Sequence, residues 1–183
     1  MILQNHPDPR VATHLDKIQN GVLQLDWILS DSIHYLCGAT PRPQLLDLSE
    51  ILSDVLAEPP FGPVVELDWS YADERVLAVA DPGQAQHLVR TALYVFRQIA
   101  HSEQPMGLGL EYEGDFALLD VWCQVPCWEG DCDSLFEPFS PHLPSGSGLA
   151  LASVRRIAQN HGGCATIREH AGGLRLQVLL PRN

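Results

Sequence analysis

The residues best able to do chemistry lie in the last third of the chain. Gly146-Ser147-Gly148 runs into Leu149, Ala150, Leu151 and an apolar helical stretch. Such a loop lets backbone N–H groups and a helix N-terminus approach phosphate oxygens. The same glycines also suit a tight turn into a helix, and the loop alone does not separate the two uses. Cys123, Cys127 and Cys132 fall within ten residues, with His142 nearby. Zinc takes thiolate and imidazole ligands. Spacings of three and four intervening residues are not a paired Cys-x-x-Cys pattern, so no metal is expected, and these thiols read as packing residues or exposed cysteines. Asp131 and Asp133 read as solvated acids, and no Ser-His-Asp arrangement stands out.

The elements that would position these residues follow from periodicity. Val11, Leu15, Ile18, Val22, Leu25, Leu29, Ile33 and Leu36 recur at steps of four and three. That is one stripe of a helix over residues 10–36, close to a coiled-coil seam. Cys37-Gly38 ends it, and Pro41 and Pro43 make a stiff connector. A short helix follows from Asp47 or Ser49, stopped by Pro59-Pro60. Residues 64–69 alternate like a strand, and Val76 to Ala80 form a second. Asp81-Pro82 opens a helix to about Ala100, with Asp81 as cap and Pro82 at the first helical position. Two strands, Leu108–Glu113 and Phe116–Trp122, join at Gly114-Asp115. Residues 124–145 are irregular and proline-rich, Gly148 to Asn160 is helical, and a last hairpin turns around Gly172-Gly173. The expected architecture is α+β: helices against a mixed, mostly antiparallel sheet, after a long N-terminal helix.

A length of 183 residues suits one domain and an accessory helix. The net charge of −12 favours solubility and disfavours contact with nucleic acid or an anionic membrane. It makes a positively charged partner face the natural complement. No stretch approaches the roughly 20 apolar residues that cross a bilayer. The polar N-terminus is not a secretory signal, and the five cysteines are an odd number. Together these place the protein in the cytoplasm with free thiols.

From about Asp47 to Pro181 this order resembles the Bergerat-type ATPase domain shared by histidine kinases, gyrase and Hsp90. Leu135-Phe136-Glu137-Pro138-Phe139 resembles the kinase F box. Gly146-Ser147-Gly148 with its helix resembles the second glycine box. His161-Gly162-Gly163 falls at the family's turn, and Gly172-Gly173 at its last hairpin. The resemblance implies a two-layer sandwich over residues 46–183, with helices on one face. Residues 1–45 resemble the second helix of a kinase dimerisation hairpin, and Leu46-Asp47-Leu48 the usual lead-in to the ATPase domain. The hairpin's first helix, with its phosphoacceptor histidine, is not matched. His14 and His34 remain weak phosphoacceptor candidates, each otherwise a solvated helix histidine.

The chain departs from the family where nucleotide chemistry resides. Thr91 and Val95 stand at the positions of the magnesium-holding asparagine, and Val95 offers no oxygen to a hard cation. Cys123 stands for the aspartate that reads the adenine amino group, and both glycines of that box are replaced. Between Arg97 and Arg155 there is no lysine or arginine, against nine acids. A triphosphate there meets uncompensated repulsion. Trp122 and Trp128 flank the altered box, either packing the lid on the sheet or filling the vacated adenine space. The expectation is a non-catalytic relative of histidine kinases with no cofactor or only weak ATP. It would bind a receiver domain or a partner kinase and form a homodimer through residues 10–36. The alternatives are a histidine phosphotransferase and a true kinase fragment binding nucleotide through Gly146 and Gly148.

Overall fold

The computed structural model describes residues 9–37, 40–57, 75–100, 106–125, 128–144 and 147–183. The strand expected at 64–69 lies outside them, as do Gly146 and Cys127 and the side chain of His34. The chain order is α1 (Pro9–Cys37), β1 (Gln44–Asp47), α2 (Leu48–Ala57), β2 (Leu77–Ala80), α3 (Pro82–Ile99), β3 (Gly107–Glu113), β4 (Phe116–Gln124), a 3-10 turn (Cys132–Phe136), α4 (Ala150–Asn160), β5 (Cys164–His170) and β6 (Gly173–Pro181).

Strands β3, β4, β6 and β5 stand side by side in that order, and β1 pairs with β2. The sheet expected to be mostly antiparallel is antiparallel at every described pairing. Its inner face follows the period of two. Ala117, Leu119, Val121 and Cys123 of β4 and Leu174, Leu176, Val178 and Leu180 of β6 enter one core with α2, α3 and α4. On the outer face the buried Asp120 carboxylate accepts from Arg175 Nε at 2.8 and 2.9 Å, and Arg175 Nη2 also pairs with it. Trp122 lies beside them, over Gly107, where a Cβ would run into the indole.

Two details differ from the sequence reading. Gln44–Asp47, where the sequence marks no strand, forms β1, because it lies antiparallel to β2 from Gln44↔Ala80 to Asp47↔Leu77. The last hairpin turns on Ala171 and Gly172, both at positive φ (48° and 79°), while Gly173 already belongs to β6. Positive φ at both central residues is the two-residue turn that matches strand twist. The two sheets are joined by Tyr112, whose hydroxyl accepts from Leu77 N–H at 2.7 Å and donates to the Arg75 carbonyl at 3.2 Å.

Helix α3 starts where Asp81-Pro82 predicts. Asp81 Oδ1 accepts from Gln84 N–H at 3.1 Å, and Oδ2 accepts from Arg42 N–H at 3.0 Å. His161, at the end of α4, completes this junction. Its Nε2 accepts from Asp81 N–H at 2.9 Å, so the proton sits on Nδ1 and donates to Ile157 O at 2.8 Å. The Arg42 N–H holds the Asp81 carboxyl below its ordinary value of 3.8; burial opposes this, and the Gln84 and Gly83 N–H groups and His161 reinforce it. A carboxyl depressed in the folded state contributes stability that is present above about pH 4 and lost as pH falls through the folded value. Asp81→Ala is therefore expected to cost about 1 kcal/mol at pH 7. Asp81→Asn keeps the capping oxygen and should instead flatten the acid loss of stability. Urea unfolding followed by circular dichroism at pH 7, 5 and 3 checks both.

Candidate functional site

The candidate site lies where α3, α4 and the described loop residues 128–144 and 147–149 converge. Gln84, His87, Thr91, Val95 and Gln98 fall along one side of α3, spaced by three and four. That line faces α4 and the loop. Thr91 and Val95 have no exposed surface, and His87 and Gln84 are buried. His87 Nε2 lies 3.4 Å from Thr91 Oγ1 and 3.5 Å from Ser153 Oγ of α4. Ser147 Oγ, also buried, donates to Gln98 Oε1 at 3.5 Å. A polar seam thus runs between the two helices, buried from Gln84 to Val95 and exposed at Gln98. His87 and Gln98 meet Ser153 and Ser147 across it, and Thr91 meets His87 along α3.

Gly148 has a packing role. Its carbonyl accepts from Phe139 N–H at 2.6 Å. A Cβ there would stand 3.0 Å from Phe139 Cδ1 and 3.3 Å from Phe139 Cα. Phe139 itself is at φ 61° and is 75% exposed, so the loop holds an aromatic outward in a strained backbone conformation. Helix α4 begins at Ala150, two residues later than expected, because Ser147 to Ala150 form a turn closed by Ala150 N–H on Ser147 O at 3.1 Å. Leu149 caps α4 without a side-chain bond, and Leu151 is fully buried in the core.

The rest of the loop is pinned from α4. Arg155 Nη2 pairs with Asp133, and its guanidinium lies 3.6 Å from the centre of the Phe136 ring. Asp131 is not merely solvated: its Oδ1 caps the 3-10 turn, accepting from Asp133 N–H at 3.0 Å. Trp128 Nε1 donates to Gly130 O at 2.9 Å, and the ring packs edge-on to His142 at 5.3 Å. Trp122 does not fill the adenine space. Strand alternation puts Cys123 inward and Trp122 on the outer face, near Arg175.

Cys123 lies on the inner face of β4, in the core, and burial pushes its thiol up to about 12. At neutral pH it is an uncharged thiol. Cys132 is also raised, by burial first and then by Glu169. Among the described residues no three His, Cys, Asp or Glu side chains come together to hold a metal. His14 is exposed on α1, far in sequence from the seam. Sequence reasoning missed His87 and Ser153 as the seam's centre. Their only signal was polar residues on otherwise apolar helix faces.

Solved structures share this fold. The catalytic domain of histidine kinase ThkA superposes with a TM-score of 0.67 at 18% identity, covering 77% of this chain and 96% of that domain. The chain carries the histidine kinase ATPase fold. The histidine kinase ThkA in complex with response regulator protein TrrA matches with a TM-score of 0.72 at 17% identity, over 98% of this chain and 54% of that one. Sensor protein SphS of Synechococcus elongatus is 30% identical over 207 aligned residues, which cover 98% of this chain. The chain spans about half of SphS, 48% of its length. No protein-family model matches. In fold the chain is histidine kinase-like, and in sequence it is similar to about half of a sensor protein.

The thiols report on how this histidine kinase fold closes over its inner face. Iodoacetamide at pH 8 is expected to modify the exposed Cys164 readily. Cys123 should stay unmodified until the chain is unfolded, because the thiolate is the reactive form. Peptide mass spectrometry of native and denatured samples reads this directly.

Proposed function

We propose that this protein is a histidine kinase-like component of two-component signalling that acts by binding other proteins and does not transfer phosphate from ATP. The observation that carries this is the buried stretch of the α3 seam. Thr91 and Val95, at the positions where the resemblance calls for a magnesium ligand, have no exposed surface. Val95 has no donor, and Thr91 lies against His87. Cys123, in place of an adenine-reading carboxylate, is a neutral thiol. The residues present do not fit Mg-ATP. The charge pattern points the same way, since positions 98–154 carry nine acids and no lysine or arginine. Phosphoryl transfer depends on metal ions and cations around the phosphates.

Calorimetric titration with Mg-ATP is expected to give no binding heat at micromolar to low-millimolar nucleotide. Micromolar binding would overturn the proposal in favour of a kinase fragment using Gly146, Gly148 and the start of α4.

The partner surface of this reading is α1. Its eight apolar stripe residues, Val11 through Leu36, are each 50–70% exposed. Contiguous apolar surface on this scale marks an interaction site. The steps of four and three favour a second copy across a coiled-coil seam, with a partner kinase's hairpin as the other occupant. Residues 1–45 thus act as the pairing segment and 46–183 as the ATPase-like domain. ThkA is seen with a response regulator, which supports a receiver domain as a further partner. No described helix is long and apolar enough to cross a membrane, in keeping with a place in the cytoplasm. The net charge of −12 argues against nucleic acid and anionic lipid as partners. Sedimentation is expected to show a dimer that Val22→Glu with Leu29→Glu converts to monomer. A wild-type monomer would sink self-pairing.

The exposure of His14 favours one second reading, a histidine phosphotransferase charged by another kinase. Phosphate transfer to a receiver domain, lost on His14→Asn or His34→Asn, would establish it.

A further inference from the structure

The end of α1 presents two faces. Leu25, Leu29, Ile33 and Leu36 continue the exposed stripe, while Ile28, Ser32 and Tyr35 are half-buried. At 3.6 residues per turn, the half-buried line lies about a quarter turn from the stripe. It turns toward α4, which packs against α1. Here Arg156 Nη1 donates to the Tyr35 backbone carbonyl, and its guanidinium lies 5.4 Å from the centre of the Tyr35 ring.

Two local features mark the same turn of α1. Ser32 Oγ donates back to Ile28 O at 2.6 Å, a bond that bends helices. The stripe takes two successive steps of four, Leu25 to Leu29 to Ile33, where the heptad expects four then three. A shift of that kind locally rewinds a coiled-coil seam. So the seam changes register where the flank is gripped.

We propose that Arg156 is the positioning residue that clasps the ATPase-like domain to the flank of α1, with the apolar stripe left facing away. A domain joined to a helix through a connector moves relative to it by default unless an interface fixes it. The guanidinium suits this role, since it donates to the carbonyl while lying over the ring. The grip on a backbone carbonyl is independent of the Tyr35 side chain. In a dimer formed by self-pairing, which this inference takes from the proposed function, each domain is then held beside the seam at one setting. The last turn of α1 serves both contacts without sharing residues between them.

The test places nitroxide-bearing unnatural residues at the exposed Asp26 and Glu113 of the full chain, diluted with unlabelled protein so that distances are read within one chain. Pulsed electron resonance is expected to give one narrow distance for wild type. Arg156→Ala should about double the width of that distribution with unchanged circular dichroism and Tm, as for a domain released from its contact. Arg156→Lys keeps a donor to the carbonyl and should fall between the two. Tyr35→Ala, which retains the carbonyl, should widen it less than Arg156→Ala. A distribution in Arg156→Ala as narrow as wild type overturns the clasp. Sedimentation of the same samples reads self-pairing separately: a monomer with a broadened Arg156→Ala distribution rejects the dimer and keeps the clasp.

Discussion

Everything near the candidate site depends on the packing of α4 against α3. The inner face of the sheet must be covered, and α2, α3 and α4 cover it together. Bringing α4 close enough to bury Leu151, Val154 and Ile157 also brings Ser153 to His87, and with it the polar line of α3 out of water. The desolvation of those polar atoms is offset by the bonds they make to one another. A ligand entering here would have to separate helices whose apolar sides belong to the main core. The seam is thus tied to stability and not only to a movable loop.

Charge is arranged by the same economy. The acids of positions 98–154 have no base within their own span, yet among the described residues two of them are paired with arginines from outside it. Asp120 is held by Arg175 from β6, and Asp133 by Arg155 from α4. A third pairing, Arg75 with Asp47 and Glu50, ties the start of β2 to α2. These three arginines are committed to carboxylates of the scaffold. The exposed pairs contribute little to stability; the buried Asp120 carboxylate is the one that requires its partner.

Much of the fold was legible because its signals are local. Alternation in Phe116–Trp122 and Leu174–Leu180, the Asp81-Pro82 cap and the paired glycines each encode one element within a few residues. β1 was not, because four residues after a proline become a strand only through β2. For the candidate site the sequence shows which residue types stand at each position and not which of them meet. That Val95 cannot hold a metal follows from its side chain. That His87 and Ser153 meet follows only from helix packing, sixty-six residues apart in the chain. Trp122 was left between packing on the sheet and filling the adenine space, because a flanking position does not reveal which face of a strand it occupies. Gly148 shows the reverse limit: the motif was seen, and its use against Phe139 needed coordinates.

Adjacent residues on one helix carry the link between these regions. Arg155 reaches the 3-10 turn under the loop, and Arg156 reaches the last turn of α1. Consecutive helix positions point about 100° apart, so neither can substitute for the other. The helix that packs along the seam is therefore also the one that contacts α1. Under the proposed reading, α4 is a fixed support for the pairing segment. The surface features left for partners are then the apolar stripe of α1 and the acidic loop bearing Phe139. Both suit recognition by another protein better than they suit phosphate chemistry.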